Sequence, residues 1–79
     1  MEKIRTEIGS PIDYKELVVF LRYDGEEIAL VQKEEGIDKM KIEFYGVKDG
    51  TTIYLDTLIE GLLKAKEELS IPSIYSDED

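Results

Sequence analysis

The sequence predicts an α+β domain: an antiparallel β-meander of four to five strands with one C-terminal helix packed on one face. Three observations carry this. Apolar and polar residues alternate over 2–8, 39–45 and 51–55, the period of a half-buried strand. Two β-rich runs, ELVVFLRY and EEIALVQK, flank the dipeptide Asp24-Gly25. Beyond Asp56, apolar residues recur at helical spacing.

The first strand carries Ile4, Thr6 and Ile8 on one face and Lys3, Arg5 and Glu7 on the other. Ser10-Pro11-Ile12-Asp13 then resembles a helix start, with a single helical turn over 11–16 or a plain loop as the two outcomes. Asp24-Gly25 predicts a type I′ hairpin, whose two central residues need positive φ. An uninterrupted ladder from that turn sets Tyr23 against Glu26, Arg22 against Glu27, Leu21 against Ile28, Phe20 against Ala29, Val19 against Leu30 and Val18 against Val31.

In the next strand Met40, Ile42 and Phe44 alternate with Lys41 and Glu43. After a loop at Val47-Lys48-Asp49-Gly50, residues 51–55 read as a fifth strand. A pairing of Phe44 with Ile53 and Ile42 with Leu55 keeps both apolar sets on one side. Asp56 is the predicted helix N-cap. Leu58, Ile59, Leu62, Leu63, Ala65 and Leu69 form the stripe that faces the sheet. Gly61 weakens the helix by about 1 kcal/mol relative to Ala and marks a close helix–sheet approach. Pro72 ends the helix, so the reading is a single domain over 1–70 and an acidic tail over 71–79.

The helix is expected to cover Leu17, Val19, Leu21, Ile28, Leu30, Met40, Ile42, Phe44, Ile53 and Leu55. The opposite face then carries Val18, Phe20, Ala29 and Val31, with Tyr45 and Tyr54 at the same parity. One helix cannot cover both faces of a sheet. The second is covered by the turn holding Ile12 and Tyr14, by the tail residues Ile71, Ile74 and Tyr75, or by another chain; left open, it is an interaction surface.

Composition narrows the chemistry. The 79 residues hold 19 acids against 10 bases, a net charge of −9, which repels phosphate backbones and anionic lipid and attracts basic proteins. With neither cysteine nor histidine, nucleophilic triads and Cys/His zinc sites are excluded, and a reducing cytoplasm is the expected location. MEKIRTEIGS has no secretory character, and the longest apolar run, Leu17 to Leu21, is far too short for a membrane span. The six glycines occur singly, without a phosphate-cradling loop, and the Asp-Gly pairs lack the further acids of a calcium loop. No cofactor, metal or catalytic residue is expected.

The succession of strands followed by a helix, with Thr52-Ile53-Tyr54-Leu55-Asp56 running from the last strand into a capped helix, is similar to the PC4-like single-strand-binding fold. That resemblance implies a homodimeric nucleic-acid-binding or structural domain, with Lys39, Lys41 and the tyrosines as contacts. The charge balance argues instead for a protein partner with a basic surface, as for phage or mobile-element inhibitors and toxin immunity proteins that mimic nucleic acid. On that reading the contacts are Glu26, Glu27, Glu34, Glu35 and Asp38 around the hairpin loops, with Tyr45, Tyr54 and Phe20 as anchors, and a homodimer through the open sheet face is the other assembly expected.

Overall fold

A computed structural model describes residues 3–70; the tail over 71–79 lies outside them. Four strands, β1 (Arg5–Gly9), β2 (Val18–Tyr23), β3 (Glu26–Gln32) and β4 (Lys41–Phe44), form an antiparallel sheet in sequence order. The helix α1 (Leu55–Leu69) follows and packs on β2 and β1, with a smaller contact on β3. This is the predicted α+β meander with its C-terminal helix.

The hairpin turn forms as its sequence dictates. Asp24 and Gly25 both hold positive φ, 54° and 81°, the left-handed region a type I′ turn demands. Tyr23 pairs with Glu26 and Arg22 with Glu27, but there the expected ladder breaks. A β-bulge makes Leu21 pair with Ala29, Phe20 with Leu30 and Val19 with Val31. A one-residue slip turns every later side chain to the other face. Ala29 and Val31 therefore lie beneath the helix, and Leu30 moves to the opposite face. The bulge lets Ile28, Ala29, Leu30 and Val31 all be buried in succession.

The helix-side core consists of Ile4, Val19, Leu21, Ile28, Ala29, Val31, Ala65 and Leu69, with Leu17, Tyr23, Met40, Ile53, Leu58 and Leu62 packed against it. Leu21 and Leu69 are among its largest fully buried side chains, each contributing roughly 1.5–3 kcal/mol by burial. The helix turns Thr57, Gly61, Ala65 and Leu69 inward, while Ile59 and Leu63 remain exposed. Gly61 is the expected close approach: a Cβ there would stand 2.7 Å from the Cβ of Ile4.

Two other expectations are corrected, and one left open is decided. Residues 51–54 are not a strand, so Phe44 and Ile42 do not pair with Ile53 and Leu55; Leu55 instead opens the helix and is exposed. Tyr54, not Asp56, occupies the N-cap, and Asp56 sits in the first turn, where its charge still complements the helix dipole. Of the two outcomes for 11–16 the structure has the loop, with one backbone turn at Pro11–Tyr14 closed by Tyr14 N–H donating to the Pro11 carbonyl at 3.2 Å. Among the described residues no helix is long and apolar enough to cross a membrane.

Candidate functional site

The face opposite the helix is built by strand parity. Glu7 and Gly9 of β1, Val18, Phe20 and Arg22 of β2, Leu30 and Gln32 of β3, and Lys41 and Glu43 of β4 share it. Its centre is apolar: Val18 and Leu30 are buried and Phe20 is partly so, its ring lying over Gly9, where an added Cβ would come within 2.5 Å of the ring edge. Glycine at position 9 is what gives Phe20 this seat.

At one end the β1–β2 connection folds back over the sheet. Tyr14 Oη donates to Glu43 Oε1 on β4 at 2.7 Å, spanning β2 and β3. Gln32 Nε2 donates to the other oxygen of the same carboxylate at 3.1 Å, and Gln32 Oε1 accepts from Glu34 N–H at 3.0 Å. The Glu34 carboxylate accepts from the backbone N–H groups of Lys15 and Glu16, at 3.1 and 2.8 Å. The face is thus covered in part by its own chain. Tyr14 makes the contact, whereas Ile12, 98% exposed, takes no part.

At the hairpin end a second cluster forms. Tyr45 Oη donates to Glu27 Oε2 at 2.7 Å. Arg22 reaches Glu7 at 3.3 Å and Glu27 at 3.9 Å. These ion pairs offset a like-charge opposition, because Arg22 stands directly across from Arg5.

Glu34 and Glu43 are oriented chiefly by uncharged donors: two backbone amides for one, a phenol and an amide for the other. Hydrogen bonds to the ionised form favour it. The Tyr14 hydroxyl, then Gln32, holds the Glu43 carboxyl below its ordinary value. The bond to Glu43, reinforced by burial, raises the Tyr14 phenol. Burial, then the bond to Glu27, raises Tyr45. Each of these three groups moves away from neutral pH, so the Glu43 carboxylate stays charged and the two phenols stay protonated. The arrangement ties the β1–β2 connection to β3 and β4.

The predicted contacts distribute unequally. Phe20, Glu27, Glu34 and Tyr45 come to this one face or its rim. Glu26 is exposed beside the hairpin turn. Glu35 lies in the β3–β4 connection, ion-paired with Lys41. Asp38 belongs to the 3-10 turn Ile37–Lys39 and lines an open groove between β4 and α1. Tyr54 is 69% exposed at the helix N-cap, beside Tyr23, Thr52 and Ile53. It does not share a strand face with Tyr45. Tyr14 covers the face as one of the expected alternatives has it, whereas Gln32 and Glu43 were not among the predicted contacts. The signal for Glu43 was its alternation opposite Ile42 and Phe44; for Tyr14 the sequence offered the fold-back of its turn but not the acceptor it would find.

Comparison of the chain with protein-family profiles, with curated proteins and with solved structures gives no match.

Proposed function

We propose that this chain is a small, non-catalytic binding module that docks on a basic surface of a partner protein through the oriented carboxylates Glu34 and Glu43 of its open sheet face. The surface envisaged is one that otherwise grips nucleic-acid phosphates, which makes the chain an inhibitor or immunity protein acting by charge mimicry. One observation supports this above the rest: Glu34 and Glu43 are held in place mainly by neutral donors. A carboxylate fixed by a lysine or arginine is oriented but largely neutralised. A carboxylate fixed by amides and a phenol is oriented and keeps its charge. Pre-organisation of this kind lowers the ordering cost of binding, and the net charge of −9 adds steering toward a cationic partner. Phe20, partly exposed on the same face, supplies an apolar anchor.

The test uses proteins that bind heparin, taken from the cells that express the chain. They are passed over immobilised chain at low salt and eluted with rising salt. The reading expects one retained basic protein, released as screening increases, and poorly retained by the Glu34→Gln/Glu43→Gln variant, which loses two charges while each side chain keeps one accepting oxygen. Equal retention by the variant refutes the charged-face reading. Direct binding of single-stranded oligonucleotides by the chain refutes it in favour of the nucleic-acid reading.

A further inference from the structure

We infer that the chain forms a two-fold dimer through the open edge of β4, extending the sheet across two copies. The first ground is the phase of the ladder. Tyr45 N–H donates to the Ile28 carbonyl at 2.9 Å, and β3 and β4 pair in unbroken register from Ala29–Phe44 to Gln32–Lys41. In an antiparallel pair the backbone groups of alternate residues point toward the partner strand. Residues 45, 43 and 41 therefore bond to β3, and the N–H and C=O groups of Met40, Ile42 and Phe44 point outward, off an edge that no other described strand occupies.

The second ground is that this edge is self-complementary in one register. Two-fold pairings that keep like faces together place Lys41, Ile42 or Glu43 on the axis. Centring on Lys41 or Glu43 sets that charge against its own copy. Centring on Ile42 sets Ile42 against Ile42, Met40 against Phe44, and Lys41 against Glu43 twice. Opposite charges directly across a ladder are favourable and like charges unfavourable. The outward N–H and C=O of Ile42 then meet those of its copy across the axis.

The third ground is exposure. Phe44 is 60% exposed and Ile42 36%, on the helix side of the strand. The open groove of about 520 Å³ beside them is lined by Val31, Met40, Ile42 and Leu62. An edge strand with apolar side chains and unpaired backbone groups is a template for pairing. The two-fold axis lies perpendicular to the sheet, so both helices sit on one side and both Tyr14–Glu43 networks on the other.

Sedimentation equilibrium on the full chain tests this with Lys41→Glu and Glu43→Lys. Each variant alone replaces both cross-axis attractions by repulsions, so its dimer is expected to be about thirtyfold weaker. An equimolar mixture restores wild-type affinity, because the two variants complement each other. Ile42→Pro is the second probe: its N–H is not used within the monomer's sheet, so an edge proline is tolerated there, and it abolishes the dimer while circular dichroism stays unchanged. A wild-type chain that sediments as a monomer into the millimolar range overturns the proposal. So do single variants as dimeric as the wild type. Protection of the Ile42 and Phe44 amides from exchange that persists in dilute monomer and vanishes on deleting residues 71–79 would assign the edge to that segment and overturn it also.

Discussion

Gly61 decides whether the helix sits on the sheet as described, because two effects of opposite sign meet there. In an isolated helix, Gly61→Ala stabilises by about 1 kcal/mol. Here the new methyl would stand 2.7 Å from Cβ and 2.8 Å from Cγ2 of Ile4. A β-carbon is fixed to the backbone and cannot swing aside, so β1 or α1 must give by about 1 Å. Over-packing of this kind costs about 1–3 kcal/mol, and a clash with a β-carbon belongs at the upper end. The net expectation is destabilisation by about 1–2 kcal/mol, a fall in Tm of roughly 5–15 °C for a domain of this size. Urea unfolding followed by circular dichroism measures it, and the midpoint should move without a change in slope. The double variant with Ile4→Ala should be less destabilised than the sum of the two, since the added methyl occupies part of the space Ile4 vacates. Stabilisation by Gly61→Ala would refute the reasoning, for it would mean that α1 does not rest on Ile4.

Thr6 carries a buried hydroxyl without a hydrogen-bond partner, so Thr6→Val should stabilise by about 1 kcal/mol, read as a shift in the urea midpoint; a loss of stability would reveal a partner. Tyr14→Phe removes the first donor to Glu43, and carbon-detected NMR should show the Glu43 carboxyl titrating higher than in the wild type, nearer the ordinary glutamate value of 4.5. Because the folded-state pKa of Glu43 is depressed, its contribution to stability is present above the unfolded value and is lost as the pH falls through the folded one. The difference in stability between wild type and Tyr14→Phe should therefore be largest at neutral pH and shrink in acid. Gly25→Val forces a β-branched residue to a φ of 81° and should cost about 1–3 kcal/mol in thermal unfolding.

The fold was legible where local chemistry dictates it. Asp24-Gly25 announces its own turn, and the stripe from Leu58 to Leu69 announces a helix. Gly61 stands out as the glycine inside that helix. The bulge was not legible, because Ile28-Ala29-Leu30-Val31 is apolar throughout and alternation carries no information in such a run. What decides it is volume: the helix, already drawn close over Ile4 by Gly61, rests on the smaller Ala29 and Val31, and Leu30 goes to the other side. The fifth strand failed for a related reason. Thr52, Ile53 and Tyr54 have strong β propensity, but β4 is short and the chain must leave the sheet at once to reach the helix start. There tertiary geometry outweighs propensity.

That displacement of Leu30 also accounts for the other face. Leu30 and Val18 would be a greasy patch if left to solvent, and the chain hides them without a second helix. Tyr14 reaches across from the β1–β2 connection, and its hydroxyl needs an acceptor at the far side. Glu43 supplies one, Gln32 fixes Glu43, and Glu34 ties the connection down through two amides. Uncharged donors suffice for this task, and a lysine in their place would have neutralised the carboxylate it was anchoring. The anchoring of an apolar centre and the display of negative charge are therefore the same set of bonds. It follows that a change such as Gln32→Leu, which leaves every carboxylate in place, should weaken partner binding by loosening Glu43 and Glu34 while leaving the net charge at −9. Calorimetry that showed unaltered affinity would separate the two roles and leave the acidity as a property of solubility alone.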